Sequence, residues 1–121
     1  MKTIVIVDDD KEFLDAISPR LEKWGYKVIA FTEGMKAIEY LTADMPPDLV
    51  LLDLELGDVS GFKVLVEARA KHPQLPVFII TIFIEPEIRA QAISLKADYF
   101  LAKPFMPSEL KTILEAYFNS K

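Results

Sequence analysis

The chain has 121 residues, of which 51% are apolar and 27% charged, and this balance predicts one globular domain with a sizeable core. Its net charge of −5 argues against direct binding to nucleic acid, which relies on basic patches. Because the chain has no cysteine, no signal pattern and no apolar run near the ~20 residues of a membrane span, we expect a cytoplasmic protein without disulfides, thiolate metal sites or a membrane partner.

Short apolar runs in the first half of the chain predict three strands. Residues 3–7, TIVIV, form a β-branched run that is followed by three aspartates at residues 8–10. Residues 26–31, YKVIAF, form a second run. In residues 48–53, DLVLLD, four consecutive apolar residues lead into Asp53, a pattern typical of a parallel strand that is covered on both faces.

Helical spacing follows the first two strands. One aspartate of residues 8–10 can cap a helix that carries Phe13, Ile17 and Leu21 at a spacing of four. Pro19 lies inside this helix and should kink it. Thr32 is the expected N-cap of a short second helix.

The second half of the chain repeats the alternation of strand and helix. Residues 76–81 predict a fourth strand that ends in Thr81, and residues 98–103 predict a fifth that ends in Lys103. The three helices of this half are expected after the loop at 57–61, from Glu85-Pro86-Glu87, and from Pro107 or Ser108.

Two segments of this half invite more than one interpretation. Residues 82–84, Ile-Phe-Ile, are unusually apolar for a loop. We slightly favour core packed at a helix entry, and the alternative is an apolar surface for a partner. His72 is the only histidine, and beside Pro73 we expect it to be a solvated loop residue without a catalytic role.

Five strands that alternate with five helices predict an α/β fold, a parallel sheet with helices on both faces and right-handed crossovers. In such a sheet, ligands bind beyond the carboxyl ends of the strands. Four strands deliver polar side chains to that rim. The side chains are Asp8 and Asp9 after the first strand, Asp53 at the end of the third, Thr81 at the end of the fourth and Lys103 at the end of the fifth.

These side chains suggest phosphoryl chemistry. Carboxylates gathered at ~4 Å repel by roughly 4 kcal/mol per pair at an intermediate dielectric, so they require a cation. Oxygen ligands without histidine or cysteine favour Mg²⁺ or Mn²⁺. An ammonium and a hydroxyl beside the metal can stabilise a transferring phosphoryl group. A carboxylate can itself be the nucleophile, and Asp53 is best placed because its strand is central.

In these residues the chain resembles the receiver domain of response regulators in two-component signalling. The resemblance rests on Asp8-Asp9 after TIVIV, on Asp53 after DLVLL, on Thr81 after PVFII and on Lys103-Pro104-Phe105. It covers essentially all of the chain and implies that residues 1–121 form one receiver domain. The implied fold is flavodoxin-like and doubly wound, with strand order 2-1-3-4-5.

The resemblance also implies a phosphorylation site. Asp53 would accept a phosphoryl group from the phosphohistidine of a sensor histidine kinase or from a histidine phosphotransfer protein. Mg²⁺ would be held by Asp9, by Asp8 through water, by Asp53 and by the backbone carbonyl of Glu55. Lys103 would bind the phosphoryl oxygens. The domain would be a phosphoacceptor with slow autodephosphorylation rather than an enzyme.

A switch is implied as well. Thr81 would move towards the phosphoryl group and Phe100 would turn inward, which relays the change to the face of the fourth helix, fifth strand and fifth helix, where a downstream protein or output domain binds. The bond from Lys103 to Pro104 is expected to be cis. Ile82 is bulkier than the residue usual at this position, and it would hinder access to the phosphorylation site or restrict the movement of Thr81. Phe83, we hypothesise, slows self-dephosphorylation by shielding the route of the hydrolytic water.

Departures from the commonest receiver pattern bear on the switch and on two turns. Phe100 has a ring but no hydroxyl, where tyrosine is frequent. Gly57 stands where proline is common, and Lys96 stands where glycine is common. Any switch that uses the tyrosine hydroxyl is therefore not available to this chain.

Two other functions remain open from the sequence. Asp53-Leu54-Glu55 faintly resembles the nucleophile loop of haloacid-dehalogenase-type phosphatases, which have an aspartate where this chain has Glu55. Turnover of a small phosphate ester would identify such an Mg²⁺-dependent phosphatase. The third possibility is a receiver-fold interaction module that works without phosphate.

Overall fold

The computed structural model describes residues 1–120, in which five strands alternate with five helices as predicted. The strands are β1 (Thr3–Val7), β2 (Lys27–Phe31), β3 (Leu49–Leu52), β4 (Val77–Thr81) and β5 (Tyr99–Ala102). The helices are α1 (Lys11–Lys23), α2 (Gly34–Leu41), α3 (Gly61–Lys71), α4 (Pro86–Ser94) and α5 (Pro107–Asn119). None of these helices has the length and hydrophobicity of a membrane span.

The strands form one parallel sheet in the order β2-β1-β3-β4-β5, which confirms the predicted doubly wound fold. Val7 of β1 lies opposite Leu52 of β3, and Thr81 of β4 lies opposite Ala102 of β5. The chain order reverses between β1 and β3, so a crevice is expected at the carboxyl ends of these two strands.

Two apolar layers cover the sheet. On one face, Val5, Val7, Val50 and Leu52 pack with buried residues of α2 and α3. On the other face, the alternate residues Ile4, Ile6, Leu49 and Leu51 pack with buried residues of α1 and α5. All four residues of β3 are therefore buried, and burial on both faces explains their continuous apolar run.

The predicted cap of α2 is wrong. The N-cap is Glu33 rather than Thr32, and its side chain makes no capping hydrogen bond. The carboxylate of Asp58 accepts hydrogen bonds from the backbone N–H groups of Gly34 (3.0 Å) and Met35 (2.9 Å) instead. Asp58, 24 positions beyond Gly34, thus satisfies N–H groups that a helix start leaves unpaired. The capping rule considers only the residue directly before a helix, so it could not predict this cap.

Two loop interpretations are also wrong. Ile82 and Ile84 are 63% and 59% exposed, so the segment after β4 is not packed core, and only Phe83 is half-buried. His72 is half-buried at the C-cap of α3, and its Nε2 lies 2.7 Å from the carbonyl oxygen of Ala43. It joins two loops rather than standing free in solvent.

Candidate functional site

Three carboxylates meet where β1 and β3 end. Asp8 directly follows β1 and Asp53 directly follows β3, and these strands are neighbours in the sheet. One carboxylate oxygen each of Asp8, Asp9 and Asp53 lies within 4.8 Å of the other two. Asp8 is 1% exposed and Asp53 9%, whereas Asp9 is open to solvent. The sequence-predicted acidic group is therefore assembled at one rim.

Lys103 brings a positive charge into this cluster. It follows β5, and its Nζ lies 2.5 Å from Oδ2 of Asp8 and 3.5 Å from Oδ2 of Asp53. The contact with Asp8 is a charge-assisted hydrogen bond, whereas the contact with Asp53 is an ion pair without good hydrogen-bond geometry. The peptide bond from Lys103 to Pro104 is cis. In this state the ammonium is bound mainly to Asp8.

Burial determines the electrostatics of Asp8. Desolvation raises the pKa of its carboxyl above the ordinary value of 3.8. The hydrogen bond from Lys103 and that from the N–H of Asp10 (2.9 Å) oppose the rise, and the negative charge of Asp53 adds to it. Ionised Asp8 therefore depends on neighbouring positive charge, because burial favours its neutral form.

The backbone of Asp53 is held from two sides. Its N–H donates to the carbonyl of Val7 (2.9 Å), and Oδ1 of its carboxylate accepts from the N–H of Leu54 (2.7 Å). The N–H of Gly61, the first residue of α3, donates to the carbonyl of Leu54 (2.7 Å). A Cβ on Gly61 would lie only 2.1 Å from the carbonyl oxygen of Asp53. Strand pairing and the start of α3 together fix this carboxylate.

The predicted switch residues lie on β4 and β5. Thr81 is fully buried, and its hydroxyl oxygen accepts from the N–H of Phe83 (3.1 Å). The N–H of Lys103 donates to the carbonyl of Thr81 (2.8 Å). Phe100 is half-buried, and the guanidinium of Arg89 lies 5.1 Å from the centre of its ring. Thr81 is thus hydrogen-bonded within its own loop in this structure.

A groove of about 600 Å³ adjoins the site between the loop after β3 and helix α4. Glu55 and Phe83 both line it, together with Phe62 and Ile88. The side chain of Glu55 is exposed. Ile82, expected to crowd the site, is not part of this groove and is mostly exposed.

Both turn residues that depart from the receiver pattern have a positive φ angle. Gly57 has φ of +83°, which excludes proline because its ring holds φ near −65°. Lys96 has φ of +61°, a conformation that favours glycine, and its N–H donates to the carbonyl of Ile93 (2.9 Å) at the end of α4.

One residue at the site is not predicted from the sequence. The centre of the Phe13 ring lies 4.1 Å from Nζ of Lys103, whereas the helical spacing predicts only a core-facing position on α1 for Phe13. Its spacing with Ile17 and Leu21 is that of any buried helix face, so no signal in a single sequence relates it to Lys103.

Comparison with known proteins identifies the family. The family model of the response regulator receiver domain matches residues 4–115. The regulatory protein VanRc of Enterococcus gallinarum is 37% identical over 118 residues, which cover 94% of this chain and 50% of VanRc. The match to the transcriptional regulatory protein CreB of Escherichia coli covers a similar share of that protein, 47% of CreB. The chain thus spans about half the length of the curated relatives it matches.

Solved structures agree with this assignment. A CheY-like response regulator receiver domain protein from Methanospirillum hungatei has a TM-score of 0.93 at 26% identity, over 99% of this chain and 95% of that one. The receiver domain of the sensor histidine kinase PA1611 from Pseudomonas aeruginosa has a TM-score of 0.87 at 25% identity, over 98% of both chains, and holds a magnesium ion in its active-site cleft. The chain belongs to the response regulator receiver domains of two-component systems.

Proposed function

We propose that this receiver domain is switched by phosphorylation of Asp53. The observation that carries the proposal is the meeting of a nearly buried Asp53 with two further carboxylates and the ammonium of Lys103. The donor would be the phosphohistidine of a sensor histidine kinase or histidine phosphotransfer protein in the cytoplasm. An oxygen of Asp53 forms a bond to phosphorus while the phosphorus–nitrogen bond breaks, and the imidazole leaves with its electron pair.

The residues at the rim suit a magnesium or manganese ion. All three clustered side chains offer carboxylate oxygens, the hard ligands that these ions prefer. Asp8, Asp9 and Asp53 would hold the ion, together with the backbone carbonyl of Glu55. Bound there, it would neutralise charge on the phosphoryl oxygens. The magnesium ion in the PA1611 receiver domain supports this assignment.

Lys103 is placed to stabilise the transferred group. Its side chain is 14% exposed, so its charge is little screened by water. In the resting state it is bound to Asp8 and lies 3.5 Å from Oδ2 of Asp53. A small movement of its four-carbon stem would bring the ammonium to oxygens of a phosphoryl group on Asp53.

The switch would begin at Thr81. If its hydroxyl turns to a phosphoryl oxygen, it gives up the hydrogen bond from Phe83 and frees the loop that leads into α4. Phe100 on β5 would then turn inward. The change would reach the α4–β5–α5 face, on which a downstream protein or output domain would bind. Exposed apolar side chains on these elements and their connection are Ile93, Tyr99 and Met106.

Acetyl phosphate tests the proposal. The intact mass of the protein is measured after incubation with and without Mg²⁺. We expect one added phosphoryl group that depends on Mg²⁺ and is absent in Asp53→Asn. Asp15→Asn is a matched control, since Asp15 is an exposed aspartate of α1 that pairs only with Lys11 among the ion pairs of residues 1–120.

Each competing function predicts a different result. No addition from acetyl phosphate or from a phosphorylated kinase would refute phosphorylation and favour a module that works without phosphate. Multiple turnovers of the donor would indicate a phosphatase. Receiver domains are regulators rather than enzymes, so we expect a stoichiometric label that decays slowly.

A further inference from the structure

The ammonium of Lys103 is enclosed on three sides. Asp8 accepts its hydrogen bond, Asp53 lies 3.5 Å away, and the ring of Phe13 lies 4.1 Å away from ammonium nitrogen to ring centre. A cation within about 6 Å of a ring centre is attracted by the electron-rich face of the ring. This attraction is stronger where water is scarce, and only 14% of the Lys103 side chain is exposed.

The ring itself is fixed from two directions. Phe13 lies in the first turn of α1, and its N–H donates to Oδ1 of the N-cap Asp10 (3.2 Å). Phe105 packs edge-on against it, with ring centres 6.1 Å apart and an interplanar angle of 71°. Phe105 follows Lys103 by two residues, so the segment that carries the lysine also packs on the ring.

The same turn is tied to the carboxylates. The N–H of Asp10 donates to Oδ1 of Asp8, whose Oδ2 accepts from Lys103. Contacts therefore run from Asp8 through Asp10 and Phe13 to Lys103 and back to Asp8. A displacement of the Phe13 ring would open one side of the ammonium to water, and a flexible lysine stem would then sample other positions.

We propose that Phe13 is a positioning residue for phosphoryl transfer, whose ring face holds the Lys103 ammonium at Asp8 and Asp53 before the phosphoryl group arrives. This inference rests on the proposed role of Asp53. It requires the electrostatic character of the ring, because a leucine would fill similar space without attracting a cation. Phe13 need not touch the donor.

Phosphorylation by acetyl phosphate isolates this role, since so small a donor needs no protein partner docked on the domain. The rate of labelling is measured at low donor concentration with saturating Mg²⁺. We expect Phe13→Leu to label about fivefold more slowly, the factor that ~1 kcal/mol represents, and Phe13→Tyr to recover the wild-type rate. Phe118→Leu is the matched control, because Phe118 also lies under a lysine, Lys2 at 5.6 Å, but at α5.

Fluorinated phenylalanines at position 13 distinguish charge from packing. Fluorine weakens the negative face of the ring while its shape is nearly kept, so labelling should slow stepwise as fluorines are added while the melting temperature is unchanged. Equal rates across the series, or a Phe13→Leu variant that labels like wild type, would overturn the inference. Failure of the proposed function looks different, because wild type itself would then remain unlabelled.

Discussion

Substitution of Gly61 by alanine tests how closely α3 packs against Asp53. Gly61 is the first residue of α3, and an added Cβ would lie 2.1 Å from the carbonyl oxygen of Asp53 and 2.7 Å from Cα of Leu54. Real Cβ contacts essentially never fall below 3.0 Å. Both contacted atoms belong to the backbone, so neither can rotate away. Helix α3 or the segment after β3 must move.

Two effects of opposite sign decide the result. Helix propensity alone would make alanine more stable than glycine by up to ~1 kcal/mol. Overpacking of a tight site typically costs about 1–3 kcal/mol, and here the clash is with fixed backbone. We therefore expect Gly61→Ala to lower the free energy of unfolding by roughly 1–2 kcal/mol. Because the displaced backbone is that of Asp53, labelling by acetyl phosphate should fall as well.

Urea unfolding followed by circular dichroism measures the change, with Gly34→Ala as the matched control. Gly34 also begins a helix, but a Cβ there would meet side-chain atoms, Cγ2 of Val59 at 2.4 Å and Cδ1 of Leu56 at 3.0 Å. These can adjust, so its loss of stability should be smaller and its labelling rate normal. A Gly61→Ala protein that is as stable as wild type and labels equally fast would refute the reasoning.

Three more substitutions test the switch and the helix ends. Lys96→Gly should raise the free energy of unfolding by roughly 0.5–1 kcal/mol in urea, because a left-handed residue with a side chain is strained, and no gain would contradict this. Hydrogen bonds from Met35 and Gly34 lower the pKa of Asp58 below 3.8, so ionised Asp58 stabilises the fold above that pH, and this contribution is lost as pH falls through its folded pKa. The stability gap between wild type and Asp58→Asn should therefore be widest above about pH 5 and should close in acid, and a pH-independent gap would refute the assignment. Phe83→Ala should speed decay of the aspartyl phosphate several-fold by opening the groove to water, with Ile84→Ala as control, and an unchanged decay rate would exclude shielding.

The rim could be predicted from sequence because each polar residue adjoins a short apolar run. Asp53 follows four buried residues of β3, and parallel topology then brings the ends of β1, β3, β4 and β5 to one edge. These inferences need only local pattern and one topological rule. Lys96 and Gly57 are singled out only by the resemblance to receiver domains, and both have positive φ angles.

Contacts between distant segments could not be predicted in this way. Asp58 caps α2 from another loop, and Phe13 meets Lys103 through packing that no spacing rule describes. Ile82 and Ile84 show a different limit. Apolar composition indicates which segments would gain from burial, but only the assembled fold determines whether another element is there to cover them.

Charge at the rim gives a physical reason for the proposed switch. Three carboxylates against the single ammonium of Lys103 leave two formal negative charges, which one divalent cation would balance. A phosphoryl group on Asp53 replaces one negative charge by about two, so the balance is lost again. Lys103 supplies only one positive charge, which Asp8 and the phosphoryl group would share, and Thr81 has a buried hydroxyl whose own proton is not needed for its bond to Phe83. The added charge would therefore draw the Thr81 hydroxyl towards Asp53. The hydrogen bond from Phe83, which holds the loop before α4, would then be lost.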